Sequence, residues 1–204
     1  MLLVLVRHAE AEESARGRCY GTLDVGLSAH GRSQCAALAR ALAPEQVVAV
    51  VASPRVRAVE TAAAIAEPHG LDVRIEPDLR ELDFGDLEGR TYDEIAASLP
   101  DLYAAWMTTP TAVRFPGGES YADLHARSDA AVSALRTAHE GETVVAVTHG
   151  GIVRAVLHSV LGLAPERIFR LAVDPASVTA IAWLGGEPIV RCVNRVSAGA
   201  RLTV

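Results

Sequence analysis

The opening stretch MLLVLVRHAE, residues 1–10, holds an unbroken apolar run over 2–6 that stops at Arg7-His8. A run this short, rich in Val and Leu and closed by polar residues, reads as a strand buried on both faces. The same pattern returns at 47–52 (VVAVVA) and 144–148 (VVAVT). Between these runs lie segments of helical period. One extends from Ser28 to Leu42 with Cys35, Leu38, Ala39 and Leu42 on one side. A second extends from Arg55 to Glu67 with Val59, Ala62, Ala63 and Ala66, and a third from near Gly118 to about His139 with Leu124, Val132 and Leu135 facing inward. Strands alternating with helices predict an α/β fold, a mostly parallel central sheet with helices on both faces.

The remaining segments attach to that frame. Ser177–Leu184 and Pro188–Val193, parted by Gly185-Gly186, predict a hairpin or neighbouring strand pair. About 83–118 carries no strand signal, and its two short helical pieces read as a small insertion over the site. No linker divides the chain, so 1–204 is expected to form one domain. Half of the residues are hydrophobic, 22% are charged and the net charge is -6, which fits a globular chain and disfavours nucleic-acid or anionic-membrane binding. No apolar run is long enough to span a membrane, and the opening run is too short for a secretory leader. Three scattered cysteines without a CxxC pair point to a reduced compartment, with cytoplasmic location as the expectation.

In open sheets of this kind ligands gather beyond the carboxyl ends of the strands. Arg7-His8-Ala9-Glu10 follows the first run, and His149-Gly150-Gly151 follows the run 144–148 and opens a helix through Ile152 and Val156. A glycine pair at a helix start leaves backbone N–H groups open to an anion. Either histidine alone reads equally well as a core residue bonded to backbone; two at matching strand ends, one preceded by arginine, favour chemistry. The second run ends in Ala52-Ser53-Pro54-Arg55, and Arg57 falls in the first turn of the next helix. Alone it would be a solvated charge, but with Arg7 it makes a pair of planar forks suited to phosphate oxygens. Glu81, within Leu79-Arg80-Glu81-Leu82-Asp83, is either a proton donor to a leaving oxygen or a salt-bridge partner of Arg80 or Arg57.

Other phosphatase chemistries find no footing. A cysteine nucleophile needs C-x5-R, whereas the residues six beyond Cys19, Cys35 and Cys192 are Val25, Ala41 and Ala198. There is no P-loop, no paired-Asp motif after a strand and no H-E-x-x-H. Histidine is the nucleophile that remains, with neither metal nor cofactor expected. Nearby arginines should lower the His8 pKa by like charge, while His149 could donate charged or neutral. His30, His69, His125, His139 and His158 are read as surface or packing residues.

Five motifs then stand in order: Leu5-Val6-Arg7-His8, Ser53-Pro54-x-x-Arg57-Ala58, Glu81-x-Asp83-Phe84-Gly85 with Glu88-Gly89, Pro116-Gly117-Gly118-Glu119-Ser120, and Val147-Thr148-His149-Gly150-Gly151. Together they resemble the histidine phosphatase superfamily, the phosphoglycerate-mutase-like proteins, along nearly the whole chain. The resemblance implies an α/β sandwich and a metal-independent phosphohistidine mechanism on a small phosphorylated metabolite. His8 would be the nucleophile, Glu81 the acid, and Arg7, Arg57, His149 and Gly150 the phosphate ligands. Tyr20-Gly21, Asp24, Leu27-Ser28 and Gly31, with Phe169-Arg170-Leu171, Asp174, Ser177 and Val193-Asn194, echo the α-ribazole phosphatase branch of cobalamin biosynthesis, although broad-specificity phosphatases share most of them. Ser14, Tyr20, Gly21 and Tyr103 are the substrate-side candidates, and the resemblance leaves a homodimer open. Ala9, Ala11 and Ser14 stand where the family commonly has Gly, Thr and Asn. A phosphomutase is the nearest alternative, and a catalytically inactive phospholigand-binding module a more distant one.

Overall fold

The computed structural model describes residues 1–196. Six strands form one sheet: β1 (Leu2–Arg7), β2 (Val47–Ala52), β3 (Val73–Ile75), β4 (Thr143–Thr148), β5 (Val178–Leu184) and β6 (Glu187–Arg195), in spatial order β3-β2-β4-β1-β5-β6. β1 to β4 are mutually parallel where they pair, β5 runs antiparallel to β1, and β6 antiparallel to β5.

The unbroken apolar runs follow from having a core on each side of the sheet. Leu3, Leu5, Val51, Val144, Ala146 and Ile181 pack on one face against α5 (Tyr121–Ala138) and α6 (Gly150–Leu161). Their alternate neighbours Val4, Val6, Val50, Ala52, Val145, Val147 and Ala180 pack on the other against α1 (Ala29–Leu42) and α2 (Val56–Ala66). Each buried Val or Leu contributes roughly 1.5–3 kcal/mol, so a one-residue slip of any central strand would exchange the two cores.

The helices start where their caps allow. The Ser28 side chain accepts from Gly31 N at the head of α1, and Ser120 forms a capping box with Asp123 at the head of α5. The face of α2 differs from the expected one: Arg57, Ala58, Thr61, Ala62, Ile65 and Ala66 are buried, while Ala63 is exposed and Val59 intermediate. An alanine-rich helix has little contrast between faces, and burial of the Arg57 guanidinium sets its rotation. At the hairpin, Gly185 and Gly186 (φ 62° and 95°) form the two-residue turn between β5 and β6, which left-handed backbone requires.

Between β3 and α5 lie α3 (Tyr92–Ser98) and α4 (Pro100–Thr108) with short 3-10 turns. Leu87, Ile95, Trp106, Val113 and Phe115 form a third core there together with Cys19. Among the described residues no helix is long and apolar enough to cross a membrane.

Candidate active site

Arg7 is the last residue of β1 and His8 follows it, while His149 follows β4 directly. Because β1 and β4 are parallel neighbours in register, with Arg7 opposite Thr148, the two histidines emerge side by side. Their ring centroids are 5.1 Å apart. Arg57 in the first turn of α2 comes to the same point, its Nη2 3.4 Å from His149 Nδ1. His8, Arg7, Arg57, Glu81, His149 and Gly150 all line one cavity of about 730 Å3.

The protonation pattern of the imidazoles follows from their partners. His8 Nδ1 lies 2.7 Å from the Ala9 carbonyl oxygen, which can only accept, so Nδ1 carries the proton and Nε2 keeps its lone pair. The ring is only 2% exposed yet borders the cavity, so nothing but the cavity's contents can reach it. Burial, reinforced by Arg57 and Arg7, holds the His8 pKa well below its ordinary value. Burial is the larger cause, so like charge from the arginines is the secondary one. His149 is lowered in the same way by burial, Arg57 and His8. Since Arg57 only donates, His149 Nδ1 accepts and Nε2–H donates to Ser53 Oγ at 2.7 Å. His149 is therefore neutral, and in this arrangement both of its nitrogens have protein partners.

The arginines are held by carbonyls instead of carboxylates. Arg57 Nη1 donates to Leu23 O at 2.8 Å, and Nη2 donates to Tyr20 O at 2.8 Å and Gly21 O at 3.2 Å. Its guanidinium also stacks over the Tyr20 ring at 4.9 Å. Arg7 Nη1 donates to Val173 O. Neither side chain has a salt bridge among the described residues, and each leaves a buried Nε–H without a protein acceptor. Two fixed cations with spare donors beside an imidazole lone pair make a receptor for a tetrahedral anion.

Glu81 reaches the cavity from the segment after β3. Its Oε2 accepts from Gly151 N at 3.1 Å and its Oε1 from Leu82 N at 2.9 Å. Gly151 N–H is thus engaged by a carboxylate and is not open to an anion, unlike the sequence-based expectation for the glycine pair. Of the substrate-side candidates, Tyr20 and Tyr103 line the cavity. Ser14 does not: it is exposed on the 3-10 turn Glu13–Ala15, which buries Ala15 instead. Gly21 is also absent from the lining, because it passes against the Leu82 carbonyl so closely that a Cβ would collide with it. Its place is structural, offering a carbonyl to Arg57.

Among the cavity residues that went unread in the sequence are two arginines. Arg154 lies one turn into α6, its Nε donating to Leu171 O at 3.0 Å and its guanidinium 5.8 Å over the Phe169 ring. The helical spacing from Gly150 puts it on the cavity side. Arg18 sits at the rim, donating to Gly89 O. Phe84, Tyr92, Trp106, Met107 and Phe115 supply an apolar wall. Cys19 also borders the cavity, but burial raises its thiol pKa to about 12, so it is no nucleophile. Among the described residues no group of three or more His, Cys, Asp or Glu is placed to hold a metal ion.

The family model for the histidine phosphatase superfamily (branch 1) matches residues 3–196. Phosphoserine phosphatase 1 of Hydrogenobacter thermophilus is 35% identical over 88% of this chain and 85% of that protein. Among solved structures, a mycobacterial glucosyl-3-phosphoglycerate phosphatase superposes with a TM-score of 0.86 at 32% identity, covering 95% of this chain and 98% of that one. The alpha-ribazole phosphatase of Shigella flexneri superposes with a TM-score of 0.89 at 25% identity, covering 98% and 100%.

Proposed function

Because the chain belongs to the histidine phosphatase superfamily, branch 1, we propose that it hydrolyses phosphomonoesters through a phosphorylated intermediate on His8. The observation that carries this reading is the free Nε2 of a neutral, buried His8 in one cavity with Arg7 and Arg57, whose buried Nε–H groups lack protein acceptors. Nε2 attacks phosphorus while the two guanidinium groups hold the equatorial oxygens, where charge spreads in the transition state. His149 joins them by exchanging Ser53 Oγ for a phosphoryl oxygen. The bond to the leaving oxygen breaks as Glu81, acting as general acid, delivers a proton to that oxygen. Water then attacks the phosphoryl group on Nε2, Glu81 takes a proton from it, and inorganic phosphate leaves with His8 restored.

The substrate in this proposal is a small phosphorylated metabolite with a bulky, partly apolar leaving group. The wall of Phe84, Tyr92, Trp106, Met107 and Phe115 supports this, since it offers contact area and few polar partners. α-Ribazole phosphate has that character, and the likeness to the Shigella flexneri enzyme supports it as the first compound to try. A cytoplasmic setting is part of the same proposal, in keeping with three free cysteines.

His8→Ala should abolish turnover of an aryl phosphate in the presence of chelator, and brief labelling of the native protein should yield acid-labile phosphohistidine. Near-native turnover by His8→Ala would overturn the mechanism. Isomerised ester in place of inorganic phosphate from a phosphoglycerate would identify a mutase, and no reaction with any ester a binding module.

A further inference from the structure

Glu81 is carried by a segment that lies outside the strands of the sheet. β3 ends at Ile75, and from Glu76 to Asp83 the chain makes one 3-10 turn and no strand, tied to the sheet by Glu76 N–H on Ala52 O at 2.8 Å and by Thr148 Oγ1 donating to Leu79 O at 2.7 Å. Around Glu81 itself the backbone is fixed from α5. Arg127 uses all five of its N–H donors within a few residues. Nη1 donates to Asp78 O at 2.8 Å and Arg80 O at 2.6 Å, and Nη2 donates to Glu81 O at 3.0 Å. Nε and Nη2 also fork onto the two carboxylate oxygens of Glu119 at 2.9 and 2.8 Å.

Glu119 completes the knot. It accepts from Arg80 Nη2 at 2.6 Å and from Asp83 N at 3.2 Å. Burial opposes its ionisation, but the Arg127 fork, Asp83 N–H and Arg80 outweigh it and keep the carboxyl below its ordinary range. Arg127 and Glu119 do not line the cavity. They hold backbone on both sides of Glu81, while Gly151 N–H holds its carboxylate from the other end.

We propose that Arg127 and Glu119 form a positioning clamp that sets the Glu81 carboxyl at the leaving-group oxygen, so that protonation of the departing alkoxide depends on them. This rests on the reading of Glu81 as the acid. A side chain fixed at the carboxylate alone could still tilt with its backbone, and general acid catalysis is sensitive to such displacement. Arg127 matches three carbonyls and one carboxylate at once because its donors form a rigid planar fork, which a lysine does not supply.

The test compares an alkyl phosphate, whose leaving oxygen needs a proton, with p-nitrophenyl phosphate, whose leaving group does not. Arg127→Met should lower kcat on the alkyl ester by about tenfold to a hundredfold and change kcat on the aryl ester less than about threefold. Paired with Glu81→Gln, it should cause no further loss on the alkyl ester beyond that of Glu81→Gln alone. Equal losses on both esters, additive losses in the double variant, or no loss at all would overturn the clamp. Glu119→Gln keeps the shape and removes the charge, so it gives the same readings should Arg127→Met fail to fold. If Glu81→Gln itself fails to distinguish the two esters, the acid assignment is what falls.

Discussion

A methyl group on Gly151 would collide with Glu81 Oε1. Gly151 lies in the first turn of α6 with no positive φ, so alanine suits its backbone and only the carboxylate must move. Gly151→Ala should therefore raise helix stability by up to about 1 kcal/mol. It should also lower turnover of alkyl phosphates by roughly tenfold or more, through the displaced acid. A thermal melt and kcat on alkyl and aryl esters check both halves; full activity would show that Glu81 needs no fixed place. At this scale the residues beside the apolar runs, Arg7, His8, Arg57 and His149, were open to sequence reading because a strand end determines where its next side chain points. Ser14 and Gly21 fall outside the cavity lining, because motif order says nothing of which way a loop residue faces. Arg127 and Arg154 look like ordinary helix-surface charges until the cavity and the 78–83 segment are in place.

At the scale of elements, α2 is locked to the end of β1 through one hydroxyl. Thr61 Oγ1 accepts from Ala9 N at 3.1 Å and donates to the Arg57 carbonyl at 2.7 Å, entirely out of solvent. Thr61→Val keeps the volume and strands the Ala9 N–H next to His8. It should destabilise the protein by about 1–3 kcal/mol, read as a lower denaturation midpoint, and a neutral result would mean that Ala9 N–H finds another acceptor. The long elements were predictable from period and caps, as α1 shows with Ser28 at its head. β3 escaped because Val73–Ile75 is three residues with no apolar run around it. The buried face of α2 escaped because alanines on every side give no stripe, and a buried arginine contradicts the pattern that a stripe search looks for.

At the scale of the whole molecule, burial of two neutral imidazoles links folding to pH. His8 and His149 have folded-state pKa values below the ordinary 6.5, so the unfolded chain binds protons that the folded one refuses. Their contribution is complete above pH 6.5 and is lost as pH falls below it, by up to about 1.4 kcal/mol per unit for each ring, until the folded-state value is reached. The thermal midpoint should drop from pH 7 to pH 5, and His149→Asn should flatten the decline; a flat native profile would contradict neutral buried rings. The strand order has a consequence for synthesis. Among the described residues β1 pairs with β4 and β5 only, and β4 also lies between β1 and β2. During synthesis β1 thus waits without a partner while the whole segment up to Thr143 is made. A nascent chain cut short before β4 holds two apolar strands with a gap between them, a natural ligand for a chaperone.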